Sequence, residues 1–208
     1  MKNLVLIIIA FCLLISPVSG QVGREPEKWK LVERKGDIKV YVKTVADSRI
    51  KALKAECLLN ASTAEVVALL LDVKAAEKWV CNTKSCSLVR KISETEIYYY
   101  TEVSLPWPLD NRDFVTHLTV SEDPVTKIVT VHAPAVSGWV PVKKGIVRIH
   151  HSKSLWMIKP VGVGKVMVEY SLQVDPGGHI PAWVINSFAC QGPVETFSNM
   201  KKELTAGK

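Results

Sequence analysis

Between residues 38 and 174 this chain is written mostly in period two, and from residue 181 to 204 it switches to the helical period. That order constrains the fold more than any composition does. Successive strand side chains point to opposite faces, so an apolar/polar alternation marks a half-buried strand. Residues 38–43 (Ile38-Lys39-Val40-Tyr41-Val42-Lys43) alternate in this way after a start at Trp29. A second strand over 49–59 keeps Leu53, Ala55, Cys57 and Leu59 on one face. Ser62 and Glu65 then form a capping-box pattern ahead of Val66, Val67, Leu69, Leu70 and Val73, which predicts a helical stretch ending near Trp79. Strands follow over 87–92, 96–103, 112–121, 127–132, 145–151, 155–159 and 165–174, separated by turn-type residues. The closing helix carries Val184, Phe188, Phe197, Met200 and Leu204 near one stripe, and Gly192-Pro193 inside it predicts a kink. No βαβ alternation is present. The class is therefore α+β, an antiparallel meander closed by one long helix.

The N-terminus reads as a secretory signal over residues 1–20. Lys2 is followed by an apolar run over 4–15, Pro17 breaks it, and Val18-Ser19-Gly20 offers small residues before Gln21. The run is shorter than the ~20 residues that a spanning helix requires. Cys12 follows bulky Phe11, which excludes a lipoprotein signal. Export to a periplasmic or extracellular compartment is the expectation, with an uncleaved membrane anchor as the alternative. Residues 21–208 hold no repeat or long linker and are read as a single domain. Four cysteines then remain: Cys57, Cys81, Cys86 and Cys190. The Cys81-x4-Cys86 spacing is no zinc signature, and an oxidising compartment favours a disulfide between these two. Cys57 and Cys190 fall at buried positions of a strand and a helix.

Lys and Arg exceed Asp and Glu by 27 to 20, but the excess is scattered in short pairs such as Lys143-Lys144 and Lys201-Lys202. No basic stretch interleaved with aromatics occurs, which argues against nucleic acid. Mild basicity suits transient contact with an anionic membrane surface. The histidines build no metal or catalytic pattern. His150 and His151 are adjacent and face opposite ways on a strand, and His117, His132 and His179 show no HExxH spacing. No Gly-x-Ser-x-Gly occurs, and Gly162-Val163-Gly164-Lys165 is a hairpin turn, not a phosphate loop. No cofactor is expected.

Two segments carry a family resemblance. The first is Leu105-Pro106-Trp107-Pro108-Leu109-Asp110-Asn111-Arg112-Asp113-Phe114-Val115. The second is Asp175-Pro176-Gly177-Gly178-His179-Ile180-Pro181-Ala182-Trp183-Val184-Ile185-Asn186. In this order and spacing the pair resembles the START domain, the steroidogenic-acute-regulatory-related lipid transfer family. The resemblance implies the helix-grip fold, a curved antiparallel sheet wrapped around a long C-terminal helix, with one lipid held between them.

It also implies a site. Arg112 opens a strand on the face shared with Phe114, Thr116 and Leu118. In phospholipid-binding relatives an arginine at this motif position contacts the lipid phosphate. In sterol-binding relatives it pairs with a carboxylate, and residues 79–86 here contain no acid, which leans toward an anionic head group or ordered water. The other reading of Arg112 is a brace bonded to backbone carbonyls or to Asp110. Asp113 faces the opposite way and anchors the turn or a basic neighbour. Tyr100, Trp139, Trp156, Trp183 and Phe188 complete the candidate lining, with core packing as the alternative, and Trp139 is expected near the mouth. Trp107 reads as a core plug. The expected function is binding of a single lipid or other hydrophobic molecule by an exported monomer, with or without its transfer and without chemistry. The alternative is a helix-grip enzyme acting on a hydrophobic substrate through Tyr98 or Tyr100, His117 and Arg112.

Overall fold

A computed structural model describes residues 28–206 apart from 47 and 179; the side chains of 48, 49, 182, 183 and 186–190 lie outside the described set. The residues assigned to a signal peptide also lie outside it. Two hairpin strands, β1 (Lys30–Lys35) and β2 (Ile38–Val45), lead into β3 (Ser48–Leu59). Helices α1 (Thr63–Leu71) and α2 (Ala76–Trp79) follow, then β4 (Thr83–Ser93), β5 (Glu96–Val103) and β6 (Asn111–Glu122). Next come β7 (Val129–His132), β8 (Ala135–Val136), β9 (Ile146–Arg148), β10 (Ser152–Gly162), β11 (Lys165–Val174) and the closing helix α3 (Ala182–Ala206).

The strands form one sheet in the order β1-β2-β3-β11-β10-β7-β6-β5-β4. The first strands thus meet the last in mid-sheet, where Leu59 pairs with Val166 and Leu53 with Leu172. Along one edge of β6 the chain lays β7, β8 and β9 in succession, and β9 alone of these is parallel. The strand expected over 145–151 is therefore only three residues of ladder. Register shifts in β1–β2, β2–β3, β4–β5 and β10–β11 mark bulges, and a bulge bends its strand and increases the twist. Their combined effect is a curved sheet that grips a helix, the expected α+β helix-grip architecture.

Local chemistry explains the element starts. Ser62 caps α1 through its side chain to Glu65 N, and Glu65 returns a bond to Ser62 N at 2.6 Å, the reciprocal box that the sequence predicts. Helix α3 packs its stripe on the concave side, with Phe197 and Met200 fully buried and Val184 nearly so. Each such side chain contributes about 1.5–3 kcal/mol by leaving water. The span of α3 continues through Pro193. The core beneath it joins Ala55, Cys57, Val168, Ile158, Val131 and Leu118 across the sheet.

Candidate functional site

Between α3 and the sheet lies a cavity of about 340 Å³. Strand parity decides which side chains enter it. On β6 these are Phe114, Thr116 and Leu118; on β5 they are Tyr99, Thr101 and Val103; on β11, Tyr170, Leu172 and Val174. Strand β10 adds Ser152, Ser154 and Trp156. Trp79 to Thr83 and the α3 residues Gly192, Pro193 and Thr196 close the other side. Cys81 N donates to Thr196 Oγ1 at 3.1 Å and joins the two walls. At the floor, Trp156 packs against Trp79, Tyr170 and Phe197 with ring centroids 6.0, 4.2 and 5.9 Å away.

Phe114, Thr116, Leu118 and Trp156 therefore stand where the sequence reading put them. Tyr100 does not. It alternates with Tyr99, faces the opposite side of the sheet, and donates to Asp113 Oδ2 at 3.1 Å. Burial raises the Tyr100 hydroxyl pKa, with Lys143 opposing and Asp113 adding to the rise. The cavity tyrosine is Tyr99, paired in register with Thr116. Burial pushes its hydroxyl well above the ordinary tyrosine range, with the Thr116 side chain pulling the other way. Tyr170 is likewise pushed up to about 12 by burial, against a smaller pull from Ser154. Both hydroxyls are neutral donors at any physiological pH. The run Tyr98-Tyr99-Tyr100 concealed this, because three consecutive aromatics carry no alternation.

Trp139 is also on the outer face. Its ring stacks on Tyr98 at 3.9 Å, and the other stacking partner of Tyr98 is His117 at 4.3 Å. The loop after β8 folds over the outside of β5 and β6 instead of the cavity mouth. Tyr98, Tyr100 and His117 are thereby removed from the cavity that an enzyme would use. Trp107 is 92% exposed and is no core plug. The turn between Pro106 and Leu109, closed by Leu109 N to Pro106 O at 3.0 Å, carries it outward. The side chains of Trp183 and Phe188 lie outside the described residues.

Arg112 begins on the cavity side of β6 but spends its guanidinium on backbone. Nη1 donates to Asp110 O at 2.5 Å, Nε to Pro176 O at 3.1 Å and Nη2 to Gly177 O at 3.1 Å. These bonds match the brace that the sequence reading keeps as the alternative, and burial lowers the Arg112 pKa with Asp110 opposing. Asp113 is fully buried on the outer face, where Arg148 meets it at 2.6 Å and 3.0 Å. Arg148 also donates to the carbonyls of Val140 and Pro141. The bond to Asp113 raises the Arg148 pKa despite burial.

The expected Cys81–Cys86 bond is absent, and both are free thiols. Cys81 Sγ lies 3.2 Å from Glu195 Oε2, whereas Cys86 Sγ lies 3.3 Å from Thr101 Oγ1 across to β5. The onset of β4 at Thr83 extends the chain between them and turns the two thiols toward different elements. Burial, reinforced by Glu195, pushes the Cys81 thiol up to about 12. Burial also raises Cys86. Among the described residues no group of His, Cys, Asp and Glu is arranged to hold a metal ion, and no helix is long and apolar enough to cross a membrane.

Comparison with known proteins follows this geometry. The START domain model matches residues 18–206. An uncharacterised protein of Pseudomonas aeruginosa is 31% identical over 195 residues, covering 93% of this chain and 96% of its own length. The mouse phosphatidylcholine transfer protein is 29% identical over 178 residues, covering 84% of this chain and 82% of that protein. The crystal structure of the STAR-related lipid transfer protein from Xanthomonas axonopodis superposes with a TM-score of 0.78 at 34% identity, over 85% of this chain and 98% of that one.

Proposed function

We propose, from the premise that this chain belongs to the START domain family, that it binds one lipid in the cavity under α3 and carries it between membranes without chemistry. The observation that carries this reading is the cavity wall itself. It is drawn from β3, α1, α2, β4, β5, β6, β10, β11 and α3, and its surface is predominantly apolar. A buried acyl chain gains about 0.8 kcal/mol per CH₂ on leaving water, so such a wall extracts a lipid and shields it in transit. The lipid-transfer names of the mouse and Xanthomonas relatives support the same reading.

Two further parts belong to the proposal. The protein is exported after cleavage before Gln21, as the Lys2-led apolar run indicates. It touches membranes transiently through the Pro106–Leu109 turn, whose exposed Trp107 is suited to an interface that is apolar on one side and wet on the other. The test is mass spectrometry of an organic extract of the purified protein, paired with transfer of labelled lipid between vesicles. One lipid per chain and accelerated transfer are expected. An extract free of lipid, with transfer at the spontaneous rate, overturns the reading.

A further inference from the structure

The cavity wall is neutral. None of its lining residues, among those described, is Asp, Glu, Lys, Arg or His. Its polar groups are hydroxyls, thiols, two indoles and one carboxamide. The nearest cation by strand position, Arg112, does not line the cavity and spends three of its five N–H donors on the carbonyls of Asp110, Pro176 and Gly177. Arg148 is committed to Asp113 on the outer face, and Lys84 to Glu102 at 2.7 Å. The charged side chain placed against the cavity wall is an acid, Glu195, beside Cys81. A phosphate drawn into this space would lose its hydration with no cation to receive it, which is among the largest penalties in protein energetics.

Several polar side chains of the wall are paired within the protein. Thr101 meets Cys86, Thr196 accepts from Cys81 N and Ser152 accepts from Ala135 N. Two others have polar atoms that are fully buried and unpaired. Trp79 Nε1 and Thr83 Oγ1 are buried with no hydrogen-bond partner, and both residues line the cavity. Trp79 is 3% exposed. They flank one short segment, Val80-Cys81-Asn82, between α2 and β4. Buried polar groups are almost always paired, so an orphan donor and an orphan hydroxyl at one wall indicate what the occupant must bring.

We infer that the cavity selects an uncharged lipid, whose carbonyl or hydroxyl oxygen accepts from Trp79 Nε1 and bonds Thr83 Oγ1. This deepens the lipid-binding proposal and rests on it. Long-chain diacylglycerols, esters and alcohols fit that chemistry. Phospholipids, with an anionic phosphate that the wall does not receive, do not.

The test incubates the purified protein with phosphatidylcholine/phosphatidylglycerol vesicles that also carry dioleoylglycerol and squalene, and quantifies the captured lipids by mass spectrometry. Dioleoylglycerol enriched about tenfold over either phospholipid, relative to the vesicle, is expected, a preference equal to about 1.4 kcal/mol. Trp79→Phe keeps an aromatic ring but removes the donor, so it should cut dioleoylglycerol capture several-fold relative to squalene, which has no acceptor. Thr83→Val gives the same readout should Trp79→Phe fail to fold. Phospholipid captured as well as dioleoylglycerol overturns the inference while leaving lipid binding intact. Equal loss of squalene and dioleoylglycerol in both variants reduces the two residues to packing and overturns their role. Capture of none of the four removes the inference and the lipid-binding proposal together.

Discussion

Arg112 ties the start of β6 to the turn ahead of α3 by two bonds to carbonyls, and a third holds the Asp110 carbonyl beside it. A bond from a charged donor contributes roughly 1.5–3 kcal/mol, and carbonyls left without it inside the protein add a desolvation cost. Arg112→Leu should therefore lower stability by about 3 kcal/mol in urea unfolding while the class of lipid bound stays the same. A changed lipid class at unaltered stability would return Arg112 to the ligand. On the outer face, Arg148→Met leaves the Asp113 carboxylate buried without its cation, with only the Tyr100 hydroxyl donating to it. The expected loss is about 3–5 kcal/mol, and replacing Asp113 with an apolar residue in the same protein should recover much of it. The sequence reading places Arg112 at the ligand and keeps the brace as the alternative. Strand parity alone placed Arg112 and Asp113 on opposite faces. Which carbonyls and which base they would meet depended on Gly177 and Arg148, 65 and 35 residues further along the chain.

At the scale of elements, α3 closes one side of the cavity and the turn before it sets where the helix starts. Gly177 and Gly178 both hold φ of +65°, and a Cβ on Gly178 would come within 3.2 Å of Arg112 Nη2. Gly178→Ala should thus cost about 1–2 kcal/mol, read as a lower thermal midpoint. Whether α3 must lift for a lipid to enter is tested by joining it to the segment across the cavity. Cys81 N lies 3.1 Å from Thr196 Oγ1, so Thr196→Cys in a background retaining Cys81 alone sets a thiol beside a native one. Oxidation should stop lipid exchange between vesicles, and reductant should restore it. Exchange that continues in the fully oxidised protein places the gate elsewhere. Helices α1 and α3 were legible because each rests on local patterns: the Ser62–Glu65 box of α1, and for α3 a stripe in period 3.6 after a Pro-Gly-Gly stop. The placement of Trp139 was not legible. A loop residue has no periodicity, and its ring went to whichever aromatic the folded sheet presented.

The whole molecule carries its acid sensitivity in carboxylates that bind across elements. The Lys84 contact holds Glu102 below its ordinary value of 4.5, and the backbone N–H of Cys86 does the same for Glu77. A depressed folded pKa contributes stability that is present above the unfolded value and lost as pH falls through the folded one. The thermal midpoint should be level above about pH 5 and fall below about pH 4.5. Glu102→Gln should flatten that slope, and an unchanged slope would exclude Glu102 as a contributor.

What the sequence determined by itself is whatever short-range physics encodes. Period two and period 3.6 set strands and helices, turn residues set their ends, and the absence of βαβ units set an antiparallel α+β plan. The two proline-bearing segments then pointed to the helix-grip family. Only the tertiary structure decided which tyrosine of a run of three faces the cavity and which carbonyls Arg112 meets. It also turned Cys81 and Cys86 apart, and left Trp79 and Thr83 without partners. Each of these depends on register between strands distant in sequence. A shift of one residue exchanges the two faces of a strand, and no local pattern specifies the partner on the neighbouring strand.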